Sequence, residues 1–132
     1  MVPDSTSSER ISLGRNSIED REKFNRTFGG HGFKTGFLKL MLLKLISEEP
    51  SHGYALMQNI ESHTDQDWRP SPGSIYPALQ ELEKKGLISF ESVGRQKVYR
   101  ITPEGEIVLK QAVSHLKMVL RHMRSVFSDE IL

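Results

Sequence analysis

The sequence predicts a mainly α-helical fold carrying one small β-hairpin, and three observations predict it. The stretch from Trp68 to Gly86, WRPSPGSIYPALQELEKKG, combines a helix start, apolar residues at helical spacing and a glycine stop. Directly after it, from Leu87 to Ile101, the apolar period changes from about 3.6 residues to about 2, the pattern of two short strands. Beyond Thr102, large apolar residues recur at alternating steps of three and four almost to the end of the chain. A helix with a polar face, a basic hairpin behind it and a long last helix make a winged helix-turn-helix plus a long C-terminal dimerisation helix. Such a module sets the helix before the hairpin into the DNA major groove.

Residues 1–16 are polar, rich in Ser and Arg, and without periodicity, which predicts a disordered tail. Ser17 and Asp20 approximate a capping box, and Phe24 and Phe28 stand four apart on one face, so a short docking arm is expected there. Gly29, Gly30 and Gly32 end it. GGHG reads as a hinge, because a phosphate-cradling loop needs a preceding strand. The tail and arm together occupy residues 1–36.

From Phe37 a helix is expected, with Leu38, Met41, Leu42, Leu45 and Ile46 on its apolar side and Pro50 bounding it. A second helix begins between Ser51 and Gly53, where Tyr54, Met57 and Ile60 recur at three-residue steps. Ser51 and His52 sit at its start, where free N–H groups favour a phosphate, and Tyr54 is read with them as DNA-facing. A cap role for His52 is the open alternative. For Trp68, in the connector TDQDWRP, a plug beneath the third helix is favoured over ligand stacking.

In the third helix Ser71 serves as N-cap and Pro72 as the first residue. With Ile75 at zero on a wheel of about 100° per residue, Leu79 falls at about 40°, Leu82 at about 340° and Ala78 at about 300°, one stripe facing the core. Opposite it lie Tyr76, Gln80, Gly73, Lys84 and Pro77, and in the DNA-binding reading Ser74, Tyr76, Pro77, Gln80 and Lys84 meet the groove. Gln80 is the best base reader, its amide suited to adenine, and Lys84 suits guanine or a phosphate. Pro77 is anomalous, since a proline inside a helix removes a hydrogen bond and costs about 3 kcal/mol; Gly73, lacking a Cβ, eases the clash.

In the hairpin, Ile88 and Phe90 share an apolar face with Tyr99 and Ile101, and the turn runs from Val93 to Gln96 around Gly94. Arg95, Lys97 and Arg100 stand against the single acid Glu91, a local charge of +2 suited to phosphate. Arg95, Gln96 and Lys97 form the wing tip. Thr102 then caps the last helix, with Pro103 its first residue. Leu109, Val113, Leu116, Leu120, Met123 and Phe127 make a heptad seam, widened by Ile107, Val119 and Val126. A helix of roughly 25 residues spans about 37 Å, more than a small module's core needs, so the seam is read as the interface of a homodimer. The winged module occupies residues 37–102 and the dimerisation helix 103–132.

These residues resemble the PadR-type transcriptional regulators. HGYALMQNI (His52 to Ile60), WRPSPGSIYPALQELEKKGLI (Trp68 to Ile88) and VYRITPEG (Val98 to Gly105) carry the resemblance, which covers roughly residues 37 to 132. It implies a dimeric winged-helix protein that represses transcription and releases DNA when a small-molecule effector binds. Some drug-binding relatives use a tryptophan on the last helix, and this helix has none.

Composition bounds the alternatives. At 132 residues and 36% hydrophobic content the chain holds one moderate core. The absence of cysteine agrees with a cytoplasmic location. The longest apolar stretch, Phe37 to Ile46, is interrupted by Lys39 and Lys44 and is about half the length that spans a bilayer, so no membrane partner is expected. MVPDSTSSER lacks the apolar core of a secretory signal. No nucleophile elbow, Walker loop or Cys–His arrangement occurs, so no enzyme is expected. His115 and His122 are seven apart, not the four that a single-helix metal pair needs, and His63, Asp65 and Asp67 lack the rest of a calcium loop. No metal or cofactor is assigned.

Two function classes remain. One is a sequence-specific DNA-binding transcriptional regulator, a repressor, whose partner is double-stranded DNA with an inverted-repeat operator; its half-sites lie about 34 Å or a multiple apart. The other is a winged-helix protein–protein interaction module, supported by a net charge of only +1.

Overall fold

In the computed structural model, which describes residues 33–131, the elements run α1 (Phe33–Glu48), α2 (Gly53–His63), α3 (Pro72–Lys84), β1 (Ile88–Val93), β2 (Gln96–Ile101), α4 (Pro103–Val126) and a last turn α5 (Ser128–Ile131). The mainly helical architecture with one hairpin is the one expected. The Phe24–Phe28 arm and the glycine hinge lie outside the described residues. α1 begins at Phe33, four residues before the expected start at Phe37.

α1 is the axis of the core. Leu38, Leu42, Leu43 and Ile46 are buried, joined by Leu56, Met57 and Ile60 of α2, Ile75, Ala78, Leu79 and Leu82 of α3, and Val108 and Ala112 of α4. The stripe expected on α3 is therefore the buried one. On α1 the expectation is corrected: Met41 and Leu45 are only partly buried, whereas Leu43 and Lys39 are fully so. α1 touches α2, α3, α4 and β2 at once, and a helix enclosed on several sides buries more than a single stripe. On α2, Tyr54 of the three-residue series is half exposed, and Leu56 joins Met57 and Ile60 in the core.

Lys39 is 1% exposed, and its Nζ meets Glu81 Oε1 of α3 at 2.8 Å. Lys85 approaches the other carboxylate oxygen at 3.7 Å. A buried ammonium stripped of its partner is costly, whereas replacing it by an apolar chain of similar volume is often neutral or better. Glu81→Ala is accordingly expected to destabilise by about 3 kcal/mol, and Lys39→Met by far less, in urea unfolding. Equal losses from both would show that the pair, and not the stranded charge, sets the cost.

The hairpin pairs Ile88 with Ile101, Phe90 with Tyr99 and Val93 with Gln96. Gly94, at φ +63°, is the first central residue of a two-residue turn, where a positive φ turns the strands with their natural twist. The expected apolar face is present, with Ile88 and Tyr99 buried and Phe90 at its open end.

At the base of the hairpin the chain is stitched shut. Thr102 caps α4 as expected, its Oγ1 accepting the Gly105 N–H at 3.0 Å and donating to the Gly86 carbonyl at 2.6 Å. The Thr102 N–H donates to the Leu87 carbonyl at 3.1 Å. α4 then packs on the module through Gly105, Val108 and Ala112, with Leu109 partly buried beside them. The first residue of the expected seam therefore also serves its own core. Past Ala112 the helix leaves the module, and Val113, Leu116, Leu120, Met123 and Phe127 are exposed.

Trp68 packs against the core from the α2–α3 connection, its ring stacked on Phe37 of α1 at 5.9 Å and 11°. It is an aromatic plug, set against α1. Asp65 (φ 51°) and Gln66 (φ 70°) turn this connection left-handed, and Thr64 Oγ1 receives the Trp68 N–H at 3.2 Å.

Candidate nucleic-acid interface

The start of α2, the outer side of α3 and the hairpin enclose one open cleft. His52, extended at φ −95° and ψ 165°, caps α2: its Nδ1 accepts the Ala55 N–H at 3.3 Å. The cap role left open by the sequence is thus realised. Ser51 just before it is buried, and bonds to β2 through its backbone: its N–H donates to the Tyr99 carbonyl at 3.1 Å, and the Tyr99 N–H returns at 2.8 Å. Its Oγ donates to the Glu49 carbonyl at 2.9 Å. Ser51 ties the wing to α2, and its hydroxyl faces its own chain.

Gly53 makes room for Tyr76. A Cβ there would stand 2.6 Å from Cε1 and 2.8 Å from the hydroxyl oxygen of Tyr76, so only glycine lets the α3 tyrosine lie across the first turn of α2. Tyr76 and Tyr54 are about half exposed. Tyr99 is buried, its ring tilted against Phe90 at 6.1 Å. Burial first, then the Glu83 carboxylate and Tyr76, raise its pKa above the ordinary tyrosine value, so its hydroxyl stays neutral at physiological pH.

On the wing, Lys97 shares the face of Phe90 and lies 4.3 Å from its ring centroid, a cation–π contact that aims the ammonium toward the cleft. Arg100 and Glu91 pair on the opposite face at 3.4 Å. The +2 of the hairpin therefore resides in Arg95 and Lys97.

The cleft has a volume of about 1210 Å³ and is lined by His52, Tyr54, Tyr76, Pro77, Gln80, Lys84, Arg95, Gln96 and Lys97, nine of the eleven residues read as groove-facing. Ser51 lies behind it. Ser74 is on the other flank of α3, in a second cleft of about 600 Å³ toward α1, where its Oγ accepts a hydrogen bond from Ser71 Oγ at 3.2 Å. That bond replaces the expected side-chain cap, although Ser71 does hold the N-cap position. Gly53, Glu81, Glu83, Lys85, Phe90 and Tyr99 also line the main cleft and were not among the residues read as DNA-facing. The signal for Glu83 was available, since it falls at about 80° on the same wheel, beside Tyr76 at about 100°. Gly53 offered none, because its neighbour comes from a different helix.

Residues 42–111, from the middle of α1 to the third turn of α4, match the transcriptional regulator PadR-like family. The chain belongs to the PadR-like family. The transcriptional regulator YqjI of Escherichia coli is 34% identical over 99 residues, 74% of this chain and 46% of that protein. This PadR-like chain thus spans less than half of that relative's length. The transcriptional regulator Rv3488 of Mycobacterium tuberculosis is 33% identical over 95 residues, 69% of this chain and 86% of the other. Among solved structures, a transcriptional regulator from Clostridium thermocellum superposes with a TM-score of 0.62 at 28% identity, covering 74% of this chain and 92% of that one. The winged-helix fold of this chain is the fold of the PadR-like family. Among the described residues no helix is long and apolar enough to cross a membrane.

Proposed function

We propose that this PadR-family regulator is a cytoplasmic homodimer that binds double-stranded DNA sequence-specifically as a repressor, laying α3 in the major groove and the wing on the flanking backbone. One observation carries the reading: the cleft brings the uncommitted amide of Gln80, the ammonium of Lys84 and the cations of the wing onto one exposed face. Donor-rich side chains on a helix with a basic hairpin alongside fit base edges and phosphates respectively. Release by a small-molecule effector belongs to the proposal through the family resemblance alone.

The division of labour is testable. Gln80→Ala is expected to cost about 1–3 kcal/mol per half-site on the cognate operator and to relax preference at one base pair. Arg95→Ala and Lys97→Ala should weaken all duplexes nearly alike and flatten the log-affinity against log-salt plot by about one unit per lost phosphate contact. Competition binding at several salt concentrations reads both. An unchanged sequence profile for Gln80→Ala beside an altered one for a wing variant would reverse the assignment. The near-neutral net charge of +1 favours a second reading, a protein-binding winged module. It predicts no salt-dependent affinity for duplex DNA at all.

A further inference from the structure

Pro77 is the residue of α3 that the fold least explains. It stands inside the helix, where it deprives the Gly73 carbonyl of its partner and costs about 3 kcal/mol in an ordinary helix interior. Packing returns little for that cost, because the ring is exposed. It lines both the wing-side cleft and the α1-side cleft, which places it on the crest of α3 between them. Gly73, one turn earlier on the same line, is equally unrequired: a Cβ there would meet only Ser71 Oγ, at 3.7 Å. Local rules broken without a structural return are expected where function is served.

The chemistry of the crest is narrow. The proline ring has neither donor nor acceptor, and Gly73 adds no side chain. In the major groove the one apolar group that projects from a base pair is the C5-methyl group of thymine, where cytosine has only a C5–H. Against guanine, cytosine or the amino edge of adenine the same ring would cover polar atoms without pairing them, which is unfavourable. Gln80, the adenine-reading amide, follows Pro77 by three residues, a neighbour on the helix surface at roughly 5–6 Å. That distance is one to two base-pair steps of about 3.4 Å.

We infer that Pro77 is a specificity-determining residue that reads a thymine methyl group, within two base-pair steps of the pair contacted by Gln80, in each half-site of the operator. The inference rests on α3 being the recognition helix. It gives the proline a role that stability cannot, and it gives the operator a composition, a thymine next to or one removed from the Gln80 base pair.

The test uses the full chain and an operator selected from random duplexes, with deoxyuridine replacing thymidine one position at a time so that only the methyl group is lost. Wild-type protein is expected to lose about fourfold in affinity at one thymine of each half-site, and about fifteenfold when both are replaced, the size of one buried methyl or methylene group per half-site. Pro77→Ser should bind the thymidine operator with a comparable loss and show no further response to deoxyuridine at that position. Its thermal midpoint should rise, which excludes misfolding as the cause of weaker binding. Tight, selective binding that is indifferent to every deoxyuridine would overturn the inference and leave the DNA-binding reading intact. A deoxyuridine response that persists in Pro77→Ser would assign the methyl contact elsewhere and overturn it too. Failure of the wild-type protein to select any duplex would refute the DNA-binding reading itself, and this one with it.

Discussion

Gly105→Ala is expected to remove of the order of 4 kcal/mol of stability, a large part of the total for a domain of this size. Alanine normally improves a helix interior by about 0.5–1 kcal/mol over glycine, so the sign itself is diagnostic. At Gly105 a Cβ would collide with the Leu87 carbonyl oxygen and lie 2.8 Å from Ile101 Cγ1. That oxygen cannot step aside. It accepts the Thr102 N–H at 3.1 Å, the Leu87 N–H is held by the Leu82 carbonyl at 3.0 Å, and Thr102 Oγ1 grips Gly86 at 2.6 Å. The first turn of α4 can make room only by leaving the base of the wing, which would also unseat Val108 and Ala112. Gly73→Ala supplies the control, since its Cβ meets only Ser71 Oγ, at an ordinary 3.7 Å, and should stabilise by a few tenths to about 1 kcal/mol. Urea unfolding of the two variants measures both. A Gly105→Ala protein within 1 kcal/mol of wild type would mean that α4 is not seated as the structure has it.

The contrast between these glycines marks how far the sequence alone could be read. Elements announced by local chemistry were legible: the Ser71–Pro72 and Thr102–Pro103 starts, the Gly94 turn, and the stripe of Ile75, Ala78, Leu79 and Leu82 all stand where pattern put them. The face of α3 followed from the same stripe, because whatever lies opposite a buried stripe is exposed. What was not legible depends on a second element. Lys39 read as an interruption in an apolar run and is instead the deepest charge of the core, since its partner Glu81 comes from a helix that sequence cannot orient against α1. Ser51 read as a phosphate contact at a helix start, yet it is buried and its backbone pairs with Tyr99, a strand residue some fifty positions away. Gly53 and Gly105 look alike in sequence to Gly73, and only the neighbours of their missing Cβ atoms tell them apart.

The second large effect is expected from the double variant Leu116→Asp, Leu120→Asp, which should leave the winged module folded and monomeric while weakening binding to an inverted repeat by about 10²-fold or more. α4 is two things in succession. Up to Ala112 it is core, and beyond it the helix projects with Val113, Leu116, Leu120, Met123 and Phe127 exposed, Leu120 to 54%. The 14 residues from Val113 to Val126 extend about 21 Å at 1.5 Å each, and an apolar stripe of that length is rarely left open on a monomer. Neither aspartate touches the core, so the half-site affinity of the module should survive. What is lost is the second recognition helix, whose contribution comes from being tethered at a fixed distance from the first. Sedimentation together with binding to single and paired half-sites separates the two roles of the helix. Variants that remain dimeric would move the interface off this seam, a wild-type chain that stays monomeric at low micromolar concentration would remove the dimer, and equal losses on one and two half-sites would show that the seam supports the module and not its pairing.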